Sequence, residues 1–574
     1  MSSVSGGEAP ASAVFGDTGH LQRTVGLRGL TLISLGSIIG SGWLLGALNA
    51  ATAAGPASLL SWILAGGILA TLALVHAELG AAYPISGGTA RFPFISFGAI
   101  GGFTGGWMAW IQAVTIAPIE VEAALTYFEG TSVHPGFVAA NGTLTFPWGY
   151  LVAAVLIAVF TYINIMGVRW LAESNNITMI WKVLVPVITI VVLIIVSFDG
   201  SNFSAGGGFA PFGAHGIFAA LPLGVVFALQ GFEQAIQVGG EAKDPQRDIH
   251  RAVIISMIIG TIMYILLEVA FIGAISPKDV AKNWNNPIPG VGSFGPYASL
   301  ATAAGVTWLA SILYVDAVVS PSGTGLVYAG TSARLSYALG RNGYVPPALG
   351  RVDKRGVPFV SLIFCWVIGM LVLLPFPSWA GMVGLVTSAT VLMYAMAPVS
   401  LAVLRQRDPD RPRPYRLPVA KVLAPLSFVC ANFVVYWSGW NTIFWLYVMI
   451  IIGYVVFFVY QAVAPPNRKL HLDWRPAAWV LPWLVGLGLI AYLGQFPASK
   501  PSSGWPFDVA LLAQQTIPFW WDLVVVGVFS LVVFYMAVHF AQPKELIQQA
   551  IAAAQDELSL DAIGEAPAAT GATA

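Results

Sequence analysis

The run Gly36-Ser37-Ile38-Ile39-Gly40-Ser41-Gly42 lies inside the first apolar segment long enough to cross a bilayer, residues 27–53. Three glycines in so short a stretch make its centre the weakest part of the helix. Lipid cannot satisfy the N–H and C=O groups that an unwound turn releases, so a break at this depth must face a cavity lined by protein. Freed groups there can hold a small ligand. Amides at the start of a half-helix favour a carboxylate, and exposed carbonyls favour a cation or an ammonium. A second reading stays open on these residues alone, because Gly36 and Gly40 also form the Gly-x-x-x-Gly spacing of a helix-packing face.

Charged residues make up 9 % of the chain and apolar residues 57 %, where soluble domains carry roughly 25 % charge. The chain therefore reads as an all-α polytopic membrane protein. Fourteen apolar spans are expected, at about 27–53, 57–83, 98–128, 148–167, 176–198, 215–240, 250–275, 299–333, 359–376, 379–404, 421–440, 441–463, 477–496 and 516–541. With the N-terminus inside, all but Lys278, Lys282 and Lys500 of the 26 Lys and Arg residues fall on the cytoplasmic side. This topology puts both termini in the cytoplasm and the chain in the cell membrane. Residues 1–22 have no apolar core, so the first span itself is expected to direct insertion. Cys365 and Cys430 sit within spans and have neither disulfide nor metal-ligand spacing. No metal, cofactor or nucleic-acid partner is expected; membrane lipids are.

Spans one to five (27–198) and six to ten (215–404) have opposite orientation, and the sixth span is interrupted as the first is. Its breaks fall at Gly224 and through Ala228-Leu229-Gln230-Gly231-Phe232. Two broken helices at matching places in inverted five-span halves point to a transport site at the membrane midplane. The expected division is an N-terminal tail (1–26), a ten-helix inverted-repeat core (27–404), peripheral helices eleven to fourteen (405–541) and a C-terminal tail (542–574). That tail reads as a short surface helix followed by disorder.

An ionisable side chain at membrane depth costs roughly 3 kcal/mol on insertion scales, so each needs a reason. Glu120 and Glu122 in span three are about 200° apart around the helix. The small residues Ala109, Ala113, Ala117 and Ala124 lie on the side of Glu120. Glu120 is thus the interior candidate, either mechanistic or a structural acid, and Glu122 is assigned to the outer rim. Glu233 follows the span-six break, where it can meet a ligand ammonium, carry a proton or cap a half-helix. Asp316 precedes Ser320-Pro321-Ser322-Gly323-Thr324, a hydroxyl-rich, helix-loosening stretch of span eight. The Ser320, Ser322 and Thr324 hydroxyls there are candidates to ligate Na⁺, to line the permeation path or to bond their own backbone. Lys182 in span five either snorkels to the cytoplasm or places its ammonium where a coupling cation would sit. His76 and His539 read as interfacial, and Arg405–Arg416 as a cytoplasmic brace.

The chain resembles the amino acid–polyamine–organocation (APC) transporter superfamily. The matching features are the 36–42 run, Glu78-Leu79 with Pro84-Ile85-Ser86-Gly87-Gly88, Gly231-Phe232-Glu233, Glu241-Ala242-Lys243-Asp244-Pro245-Gln246-Arg247, Ser332-Ala333-Arg334 and Arg341-Asn342-Gly343. Within it, Gly40-Ser41-Gly42-Trp43-Leu44, Ile119-Glu120-Val121, Asp316-Ala317, Pro375-Phe376-Pro377-Ser378-Trp379 and Tyr436-Trp437-Ser438-Gly439-Trp440 resemble bacterial aspartate–proton symporter-like permeases. The resemblance implies the LeuT-type five-plus-five inverted fold. It also implies a substrate α-carboxylate at the amides of Ser37, Gly40, Ser41 and Gly42, and an α-ammonium at the carbonyls of Phe227, Ala228, Leu229 and Gln230. Phe227 or Phe232 would be an aromatic lid, and Lys182 would stand in for sodium.

The expected function is secondary active transport of an amino acid by alternating access, coupled to protons through Lys182, Glu120 and Glu233. Aspartate fits the narrower resemblance, while the interior carboxyls keep neutral and cationic amino acids open. An exchanger without proton coupling and a transporter-fold amino acid receptor are the alternatives. An enzyme is not expected, because no nucleophile–base pair lies at membrane depth.

Overall fold

In the computed structural model the first apolar segment forms two half-helices, α1 (Leu27–Ile38) and α2 (Gly42–Ala54), separated at Ile39–Ser41. Residues 25–84, 88–131, 133–166, 168–239, 242–290, 294–353, 356–496, 509 and 512–563 are described. The motif residues Ile85, Ser86, Gly87, Gly240 and Glu241, the first 24 residues and the tail from 564 lie outside them. Helix α3 (Ser58–Ala82) follows, then the long α4 (Gly88–Glu129), which kinks at Gly98 with φ 72°. Helices α5 (Trp148–Met166) and α6 (Val168–Ser197) complete the first half.

The sixth segment is broken twice. Helix α7 (Gly213–Ala220) runs into a π-turn at Leu221–Val225, where Gly224 takes φ 134°. The short α8 (Val226–Leu229) then ends at extended Gln230, and Gly231 (φ 121°) leads into α9 (Gln234–Gln237). Both glycines adopt a backbone that a Cβ would oppose. Helix α10 (Pro245–Ala274), capped by Asp244, and α11 (Thr307–Arg341) come next, followed by α12 (Phe359–Val372) and α13 (Trp379–Arg407). The chain continues with α14 (Ala420–Trp437), α15 (Gly439–Val463), α16 (Val480–Leu493), α17 (Trp521–Phe540) and α18 (Lys544–Ile563).

Among the described residues, ten helical stretches are long and apolar enough to cross a membrane, and four shorter apolar helices accompany them. This is the all-α polytopic architecture read from the sequence. The apolar windows of α4 and α13 are wholly buried. By contrast, α17 turns Val524, Val528 and Val532 outward, as a lipid-facing helix does. Because residues 100–127 of α4 are all buried, its face does not separate the two acids. Glu122, assigned to the outer rim, is buried, and neither carboxyl oxygen has a hydrogen-bond partner among the described residues.

Span eight also differs from its reading. It begins at Thr307, because Pro296–Ala303 forms a separate short helix that ends near Gly305 (φ 77°). The 320–324 stretch does not loosen it. Ser320 Oγ donates back to Asp316 and Thr324 Oγ1 to the Ser320 carbonyl, so the hydroxyls close on their own helix around Pro321.

At the end of α3, Glu78 is fully buried beneath the loop joining α13 to α14. Arg405 holds both its carboxyl oxygens, Arg413 Nε lies 3.2 Å away, and the Leu417 amide donates at 2.6 Å. The arginine-rich stretch thus ties two helices of the core together. Nearby, the Tyr83 hydroxyl donates to Asp408 at 2.8 Å; its burial, followed by that carboxylate, pushes the phenol upward from its ordinary value. His76, read as interfacial, is fully buried between Phe232 and Tyr394, since the inner half of the broken sixth segment packs on α3.

Candidate functional site

The two broken segments meet backbone to backbone. A Cβ on Gly42 would lie 2.8 Å from the Cα of Ala228, and one on Gly231 would lie 2.7 Å from Ser37 Oγ. Such approach needs glycine. It leaves a cavity of about 20 Å³ lined by Ser37, Gly40, Gln112, Glu120, Phe227 and Tyr328, among others. That space holds about one water; an amino acid requires its walls to move apart.

Glu120 reaches across from α4 to the first break. Its Oε2 accepts from the Ser41 amide at 2.9 Å, and its Oε1 lies where a Cβ on Gly40 would be only 2.7 Å away. A carboxylate therefore occupies the anion-favouring start of α2. Ser41 Oγ accepts from Trp379 Nε1 at 2.9 Å, and Trp379 meets Phe227 edge to face at 5.8 Å.

Lys182 is buried and does not reach the membrane surface. Its ammonium donates to the Gly36 carbonyl at 3.0 Å and to Thr324 Oγ1 at 2.6 Å. From Thr324 the contacts continue through Ser320 to Asp316, which also accepts from Trp181 Nε1 at 2.7 Å. The carbonyl end of α1 thus faces the Lys182 amino group, while the amide end of α2 faces the Glu120 carboxyl group. Both placements match the local backbone dipoles.

Glu233 closes the other side. It accepts from Tyr394 and from Tyr328 at 3.5 Å, and Tyr328 in turn pairs with Ser37 Oγ at 2.7 Å. Gln234 Nε2 donates to Tyr328 at 3.2 Å and to Glu233 at 3.3 Å. A polar chain therefore links the second break to the first.

Of the residues singled out from sequence, Ser37, Gly40, Gly42, Glu120, Phe227 and Gln230 line the cavity. Ser41, Ala228 and Gly231 form its backbone frame. Leu229 is buried toward Gly260, and Phe232 packs between His76 and Tyr394 away from the cavity, leaving Phe227 as the aromatic wall. Asp316 and Ser320 join the Lys182 chain; Ser322 is half-buried and is not brought to it. Glu268 lies apart, accepting from Ser58. Thr324, part of the hydroxyl-rich stretch, also lines the cavity, whereas Gln112, Tyr328 and Tyr394 escaped the sequence reading. Gln112, Ile116 and Glu120 recur every four residues, as do Asp316, Ser320, Thr324 and Tyr328, so each set shares a helix face. Ser322 is off that face.

Broken helices meeting around a carboxylate and an ammonium agree with the comparison to known proteins, in which an amino acid permease model matches residues 25–487. The chain belongs to the amino acid permease family. It is 34 % identical to a glutamate/serine transporter, AimA, of Bacillus subtilis over 538 residues, 92 % of this chain and 96 % of that one. It is also 34 % identical to an aspartate-proton symporter of the same organism, over 92 % of this chain and 98 % of that one. A branched-chain amino acid permease, BcaP, of Bacillus subtilis is 29 % identical over 77 % and 93 %. The permease is a multi-pass membrane protein, and its family and relatives are transporters rather than enzymes.

Proposed function

We propose that this permease carries a small amino acid across the cell membrane together with a proton. The observation that carries the reading is the Glu120 carboxylate on the Ser41 amide. The α-carboxylate of a substrate needs the same amides, so substrate and ionised Glu120 compete for them. Protonation turns Glu120 into a weaker acceptor that releases the amide. Substrate carboxylate and proton then enter as a pair, and the charge at the start of α2 is unchanged. Lys182 holds the Gly36 carbonyl throughout, in the place of a coupling cation. The substrate ammonium would meet the carbonyls that end α8 near Gln230, with Phe227 closing over it.

In this reading residues 27–404 are the transport core and 405–541 are peripheral, with both termini in the cytoplasm. The relatives' names support aspartate and serine as first substrates, and the polar wall of Gln112, Tyr328 and Ser37 suits either. The test is uptake of radiolabelled aspartate and serine into proteoliposomes under an inward proton gradient without sodium, against a panel of unlabelled amino acids. Accumulation that collapses with a protonophore is expected. Uptake only against internal amino acid, indifferent to the gradient, would make the protein an exchanger.

A further inference from the structure

A second cavity of about 580 Å³ opens between the ends of α11 and α15, remote from the helix breaks. Arg341, Arg351, Arg468 and Lys469 line it, and among the described residues no Asp or Glu does. Its frame is held firmly. The loop after α11 folds tightly on itself, so that a Cβ on Gly340 would lie 2.4 Å from the Gly350 amide nitrogen. Buried Gln461 donates to the Gly343 carbonyl at 2.6 Å and accepts from the Leu470 amide at 3.0 Å, joining the two loops. The neighbouring Tyr460 also lines the cavity and is 7 % exposed. Along α15, Ile451, Val455, Val459 and Val463 are each at least half exposed and recur every four residues. They form one aliphatic stripe that runs from the membrane-spanning part of the helix to Val463 at the cavity itself.

We propose that this cavity binds the phosphate group of an anionic phospholipid, with an acyl chain lying along the α15 stripe. The phosphate oxygens accept from the Arg351 and Arg468 guanidinium groups and the Lys469 ammonium. Planar guanidinium forks suit phosphate, and basic pockets at helix ends are where anionic headgroups bind. A choline headgroup brings a like charge into the same positive wall and is disfavoured. A free phosphate ion shares the chemistry but makes no use of the stripe.

The test is native mass spectrometry of the purified full chain with added phosphatidylglycerol or phosphatidylcholine of matched acyl chains. Inorganic phosphate serves as competitor. Retained phosphatidylglycerol is expected to exceed phosphatidylcholine at least tenfold and to fall at least tenfold in Arg351→Gln/Arg468→Gln/Lys469→Gln. Millimolar phosphate should not displace it. Arg468→Gln alone removes one guanidinium group and should weaken retention severalfold, which keeps the test decisive if the triple variant melts early. Equal retention of the two lipids, or retention unchanged in both variants, overturns the proposal. Displacement by inorganic phosphate also overturns it, by assigning the cavity to a soluble anion.

Discussion

The Glu120 carboxyl group accepts from the Ser41 amide at 2.9 Å, joining α4 to the first helix break, and the proposed function gives that same amide to a substrate carboxylate. In the proposed function this one residue both guards the anion seat and takes up the proton. Replacing Glu120 with Gln keeps the shape and removes the ionisation. Glu120→Gln is expected to lose proton-driven accumulation by at least tenfold while retaining substrate binding, measured as uptake with and without a gradient beside equilibrium binding. Wild-type accumulation in the variant would reduce Glu120 to packing.

Lys182 satisfies the Gly36 carbonyl and, through Thr324 and Ser320, reaches toward Asp316. Lys182→Ala removes that cation from a buried polar cluster. Accumulation under a proton gradient should disappear while binding stays measurable by thermal-shift titration with substrate.

Glycine at the crossing is a steric requirement. Gly42→Ala drives a methyl group against Ala228, 2.8 Å away, whereas a methyl group on Gly67 would meet nothing within 4 Å and would face outward. Forcing extra carbon into a packed crossing costs about 1–3 kcal/mol. Gly42→Ala should cut uptake at least tenfold, and Gly67→Ala should leave it within twofold; equal effects would deny the crossing its special role.

Ser320 lies on the Lys182 face of α11 and Ser322 does not. Ser320→Ala should lower proton-driven uptake severalfold, and Ser322→Ala should leave it unchanged, in the same proteoliposome assay.

Glu78 does not line the cavity at the helix breaks but anchors the loop between α13 and α14. Glu78→Ala leaves Arg405 and Arg413 without their carboxylate, and breaking a buried ion pair costs about 3–5 kcal/mol. A clear fall in melting temperature in detergent is the expected result.

Much of this was legible in the sequence because lipid makes backbone rules strict. Glycine clusters at 36–42 and around Gly224 and Gly231 mark the breaks, and hydropathy marks the helices. What escaped depends on neighbours. The choice between Glu120 and Glu122 by small-residue face presumed that α4 has an outer side there, and its residues 100–127 are all buried. Gln112 and Tyr328 read as ordinary polar residues until a period of four aligns them with Glu120 and Asp316. Phe227 and Phe232 are equivalent as letters; only the turn at Gln230 sends one to the cavity and the other to His76. The basic cavity at α15 joins two loops more than a hundred residues apart and leaves no local motif.

The most direct test of proton–substrate coupling is internal acidification of proteoliposomes carrying a trapped pH-sensitive dye, followed as amino acid is added outside with the membrane potential clamped. Wild-type protein should acidify the lumen in step with labelled substrate entry, and Glu120→Gln should not. Substrate entry by the wild type without acidification, or wild-type acidification in Glu120→Gln, would contradict the account.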